Sequence, residues 1–141
     1  MKFRAFDLDK KRMINHEELF GIDCSNEYPF LALLMGYCDT YMEPLRVDIM
    51  IYTGIQDKNE VAIYKKDIVK ILINNVKGRS ERIGEIIYED GSFKILCPIK
   101  NVFQGITFYS PYSFFISSNS IESIEVIGNV HENPELLENI S

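Results

Sequence analysis

Residues 52–73, YTGIQDKNEVAIYKKDIVKILI, decide how the chain is read. Thr53-Gly54 and Gln56-Asp57-Lys58-Asn59 form a polar stretch rich in turn formers: Gly and Asn tolerate positive φ, and Asp can bond its own backbone. Val61 to Tyr64 is a brief strand, Lys65-Lys66-Asp67 a tight turn, and Ile68 to Ile73 a second strand. In that strand Val69, Ile71 and Ile73 point one way, while Ile68 and Leu72 flank Lys70 on the other. A strand apolar on both faces belongs in the middle of a sheet. The stretch reads as the first wall of a small β-barrel, with Asp57 and Asp67 capping backbone N–H groups at its turns.

Working outward, Ile83 to Tyr88, Asp90-Gly91 and Phe93 to Cys97 form a hairpin, because Asp-Gly supplies the two positive-φ residues of a type I′ turn. Gly84 inside its first strand points to a bulge. Asn74 to Ser80 reads as a polar loop. Pro98 to Tyr112, punctuated by Gly105 and Pro111, gives no clear pattern, and Phe114 to Ser117 is a short strand. Ser123 to Gly128 is the last strand. Asn133 as N-cap, Pro134 at the first helical position and Glu135-Leu136-Leu137-Glu138 open a short C-terminal helix.

Upstream, Phe3 to Asp7, a polar turn and Met13-Ile14 make a hairpin. Its acidic spacing fails as a calcium loop, since Lys11 and Arg12 stand where a ligand and the turn glycine belong. Asn15 to Glu27 is polar and irregular, or a single helical turn. Phe30 to Met35 fits a short helix or a buried strand equally. Arg46 to Tyr52 returns to strand alternation. The whole is mainly β: residues 46–141 as a barrel with its helix, residues 1–45 as a hairpin and variable segment packed on it.

Composition bounds the function. At 141 residues, 46% hydrophobic and 26% charged, the chain is an ordinary globular one with no need of a staple. Three cysteines, Cys24, Cys38 and Cys97, with no C-x-x-C, imply a reducing compartment. Residues 7–18 mix charges where a secretory signal would be apolar, and the longest apolar run, Tyr28 to Cys38, is too short to span a bilayer. The expected setting is cytoplasmic, with no membrane partner.

A net charge of −6 argues against a dedicated duplex-DNA binder. The charge is uneven: residues 65–82 hold six Lys and Arg against two acids, and residues 120–141 hold five Glu with no Lys or Arg. These are two solvated faces, or a basic strip that a partner or the protein's own tail covers. The candidate binding residues are Tyr64, Lys65, Lys66, Lys70, Lys77, Arg79 and Arg82.

Nothing in the chain composes a reaction centre. His16 and His131 lie far apart with no ligand at metal spacing, and there is no phosphate-cradling glycine loop. Cys38 is a nucleophile only if a histidine and an acid fold beside it. The expectation is no catalytic residue, no metal and no cofactor. Contact with another protein is the first reading and single-stranded nucleic acid the second, since an aromatic beside Lys and Arg can stack and neutralise.

Three patches resemble the YopX-like family of phage and prophage proteins. Thr53 to Asn59 with Ile63-Tyr64 and Asp67-Ile68-Val69 is similar to that family's TGLKDKNG…IY-EGDIV signature. Val126 to Leu137, VIGNVHENPELL, is similar to its EVIGNIYENPELL, and Lys2 to Asp7 to its KFRAWD opening. The motif residues carried by the resemblance are Gly54, Asp57, Asn59, Asp67, Gly128, Asn133 and Pro134. Glu60 and Lys66 stand where the family has Gly, so those turns are strained or of another type. The resemblance implies an SH3-like β-barrel with an N-terminal hairpin and a short C-terminal helix. It also implies a phage or prophage origin, with no assigned activity; a host or phage protein partner, with a homo-oligomer as one form, is what the acidic balance motivates.

Overall fold

The computed structural model describes residues 2–23, 30–34 and 44–138, and it is mainly β. Packing divides the chain into two compact units, Met1–Tyr52 and Thr53–Ser141.

In the first unit, β1 (Phe3–Asp7) and β2 (Arg12–Ile14) form the expected hairpin, followed by a 3-10 turn, His16–Glu18. Next come β3 (Leu19–Asp23), β4 (Phe30–Leu34) and β5 (Pro44–Gln56), in the order β2-β1-β5-β4-β3. The apolar run at Phe30 is therefore a strand, antiparallel to both β3 and β5. Ala5, Phe6, Ile14, Val47 and Met50 form the buried set. Asp7 closes the hairpin: its Oδ1 accepts the Asp9 and Lys10 N–H groups at 3.0 Å, and its carbonyl accepts the N–H of Lys11.

The second unit begins with the end of β5. Then follow β6 (Ala62–Tyr64), β7 (Asp67–Asn75), β8 (Gly78–Glu89), β9 (Ser92–Phe103), β10 (Ile106–Phe115), β11 (Ile121–Asn129) and a one-turn helix α1 (Glu135–Glu138). β7 through β11 form an antiparallel sheet of order β10-β9-β8-β7-β11, and β6 pairs with β5. β7 lies between β8 and β11, as its two apolar faces require. One face of the sheet carries the core: Val69, Ile71, Ile73, Ile86, Ile95 and Cys97, joined by Ile63 and flanked by Phe93, Phe114, Ile116, Ile121, Ile124 and Val126. The ladders among the described residues make an open run of five strands from β10 to β11.

Three local readings are corrected. Gly84 is not a bulge: it pairs in register with Val69, and the register shifts fall in β11, at Ile121/Ser123 and Val126/Gly128. The supposed loop over Asn74 to Ser80 is a tight turn, with Asn75 opposite Gly78. Pro98 to Tyr112 is the far end of a long hairpin, β9 running to Phe103 and β10 starting at Ile106 across a Gln104-Gly105 turn.

Gly84 also marks where the sheet divides. The β8–β9 ladder ends at Glu85 opposite Leu96. A Cβ on Gly84 would meet Cys97 Sγ at 2.7 Å, the Leu96 carbonyl oxygen at 2.7 Å and Ile95 Cγ2 at 2.8 Å. Beyond this close crossing, among the described residues, Gly78–Gly84 pairs with β7 and Pro98–Phe103 with β10. Residues 98–111 thus form a two-stranded arm growing out of the sheet. No helix among the described residues is long and apolar enough to cross a membrane.

Candidate interaction surface

The motif residues build the frame. Asp57 is 7% exposed, and its carboxylate ties three segments together. Oδ1 accepts the N–H groups of Asn59 at 2.8 Å and Val61 at 2.9 Å, and Oδ2 accepts that of Val126, on β11, at 2.9 Å. Burial works to raise this carboxyl's pKa. The N–H groups of Val126, Val61 and Asn59, with the Lys58 ammonium, outweigh it and hold the value below the ordinary range. Asp67 is buried at the start of β7 and accepts the Tyr64 N–H on Oδ2 at 2.8 Å. Both acids cap backbone, as their positions beside turns suggested.

Gly54 sits in β5 at a φ of 87°, and Asn59 occupies the turn that Asp57 closes. At the end of β11, the Asn129 side chain accepts the N–H groups of His131 and Glu132 and donates to Glu132 Oε1. Asn133 bonds backward: its Oδ1 accepts the Asn129 N–H at 3.3 Å, and its carbonyl accepts that of Leu136. Gly128 makes room for this, since a Cβ there would stand 2.6 Å from Asn133 Oδ1. Pro134 follows, its carbonyl accepting the Leu137 N–H.

The basic strip is dispersed over this frame. Lys65 and Lys66 lie in the turn before β7 and Lys77 in the turn after it, separated by a nine-residue strand, about 30 Å at the usual rise per residue. Lys70 pairs across from Ile83 and Glu125, on the face away from the core. Arg82 pairs across from the core residue Ile71, so it lies on the opposite face. Arg79 is in an ion pair with Glu122 at 3.0 Å, and Tyr64 is buried. The seven residues do not share one surface.

A depression of about 290 Å³ lies beside the Asp57 turn, lined by Gln56, Asp57, Lys58, Ile116 and the residues from Ile121 to Ile124. The ionic groups around it are paired, Lys58 with Glu125 at 3.2 Å and Arg79 with Glu122. Of its two acids, Asp57 accepts backbone N–H groups and Glu122 is the one paired with Arg79, and its lining is mixed polar and apolar. Burial pushes the Cys97 thiol up to about 11, against the opposing pull of Arg82, so it is a protonated core group at neutral pH. Cys24 and Cys38 lie outside the described residues. No group of three or more potential metal ligands occurs among those described.

Among the described residues, one cluster of exposed apolar side chains is a feature that pattern reading passed over. On β10, Ile106, Phe108, Tyr112 and Phe114 share a face with Phe103, Cys97 and Ile95 of β9 through the pairs Phe103–Ile106, Cys97–Tyr112 and Ile95–Phe114. Ile95 and Cys97 belong to the core, so the core face continues along the arm, where it is uncovered. Phe103 is 65% exposed, Ile106 68%, Phe108 46% and Tyr112 54%. Val102, on the other face of the hairpin, is 66% exposed. One signal was visible: between Cys97 and Ile116 the only charged residue is Lys100.

Fold and surface together define an antiparallel β protein with an exposed apolar face on its β9–β10 hairpin. Residues 2–138 match the YopX protein family, and the chain belongs to it. It is similar over its length to two solved proteins. One is EF1440 from Enterococcus faecalis, with 28% identity, a TM-score of 0.54 and 96% of each chain covered. The other is yopX from Bacillus subtilis, with 21% identity, a TM-score of 0.63, and 97% of this chain and 98% of that one covered. No curated protein matches it in sequence.

Proposed function

We propose that this chain is a non-enzymatic phage or prophage accessory protein that works in the host cytoplasm by protein contact, through the exposed face of the β9–β10 arm. The observation that supports this reading is the arm itself. An apolar core face extended into water costs solubility and contributes nothing to the packing of its own sheet, so its use lies in being covered. The dispersal of the basic residues over both faces and both ends of β7 favours protein over nucleic acid as the partner.

The test compares capture from host lysate by the tagged chain and by an Ile106→Glu/Phe108→Glu variant, at gentle salt. Specific proteins retained by the first and lost by the second, a co-expressed untagged copy of the chain counted among them, are the expected result. Identical capture by both, or a salt-sensitive shift of single-stranded oligonucleotides lost on Lys65→Glu/Lys66→Glu/Arg79→Glu, overturns it.

A further inference from the structure

Resting on the reading of the arm as a contact surface, we infer that its occupant is a second copy of this chain, packed arm to arm across a two-fold axis. Three observations carry this. The first is charge: the molecule carries −6 overall, yet the arm holds a single charged residue, Lys100, and no acid. A two-fold contact sets each residue against the same surface, so like charges are penalised while apolar groups are self-complementary. A surface built for a foreign partner uses charge for selection, and this one has none to offer.

The second observation is area. Roughly half to two-thirds of Phe103, Ile106, Phe108 and Tyr112 lies in water, on the order of 100 Å² from each side chain. A symmetric pair of arms withdraws roughly 800 Å² from these side chains alone, short of the roughly 1,000 Å² that a specific interface clears, so the flanks of the arm supply the remainder. The expected assembly is therefore a concentration-dependent dimer.

The third is which part of the hairpin is competent. β10 is the last strand of its sheet, but Pro111 removes a donor from its outer edge. Continuing the sheet edge to edge is interrupted there, which leaves the apolar face.

The experiment is sedimentation velocity on the full chain from low to high micromolar concentration. The expected mass rises from 16.4 kDa toward twice that value. The Ile106→Glu/Phe108→Glu variant is expected to stay at 16.4 kDa with an unchanged far-ultraviolet spectrum. Val102→Glu, on the opposite face of the same hairpin, is expected to associate as the wild type does. A wild-type chain that remains monomeric throughout overturns the inference. So does equal dissociation by Val102→Glu, or association that survives the double substitution. A monomeric chain that still captures a host protein in an Ile106/Phe108-dependent way refutes the second copy and leaves the contact function standing.

Discussion

At the scale of residues, the chain shows how much of a family signature serves architecture. Asp57 accepts N–H groups from its own turn and from a strand about seventy residues later. Asp57→Asn keeps one acceptor and turns the other toward Val126 as a donor. It should cost about 1.5–3 kcal/mol, the range for hydrogen bonds to charged groups, read by chemical denaturation. Because the folded carboxyl titrates below its unfolded value, its contribution is present above that unfolded value, near 4. It fades as pH falls through the folded value. The gap between wild type and variant should be flat around neutrality and close only in acid; a gap that closes between pH values of about 6 and 8 refutes the account.

The turn glycines that this sequence lacks make a second case. Glu60 and Lys66 adopt φ values of 65° and 72°, so the expected strain is present where the family keeps Gly. Glu60→Gly and Lys66→Gly should each stabilise the fold by about 0.5–1 kcal/mol. Thermal melts should show rises of a few degrees, and a fall in both would mean the side chains contribute more than their backbone strain costs.

At the scale of elements, the hairpin closed by Asp90 and Gly91 was legible because its turn chemistry is unambiguous, and both residues have positive φ, 52° and 79°. The neighbouring hairpin uses the same geometry at Gln104 and Gly105, with φ of 50° and 78°. There Gln hides the turn, and two prolines facing each other across the ladder, Pro98 and Pro111, look like breaks. Strand β7 was legible from its two apolar faces alone. The candidate surface was not, because its residues are ordinary core types whose exposure depends on where β8 leaves β9. That departure depends on Gly84. Gly84→Ala should cost about 1–3 kcal/mol by overpacking, and adding Cys97→Ala should restore only part of it, since the Leu96 carbonyl is backbone and stays. Full rescue would place the whole clash on the thiol.

At the scale of the whole molecule, the boundary between Tyr52 and Thr53 falls inside β5, where the sequence passes from strand alternation to the turn formers Thr53-Gly54 while the strand itself runs on to Gln56. The residue pattern marked a change there, but as a turn after a strand and not as a division between units. The second unit has a core of its own, drawn from β6, β7, β8 and β9 with flanking residues of β10 and β11. A fragment of residues 53–141 should therefore show a β spectrum and a cooperative thermal transition. A fragment with neither would mean that the core needs the preceding residues to hold it.

The place of β11 beside β7 has a consequence for synthesis. Strand β11 leaves the ribosome about fifty residues after β7, the strand whose protection it completes. Until then one side of β7 lacks its native partner, and a translation product halted before Ile121 keeps that side bare, ready to pair with whatever strand it meets.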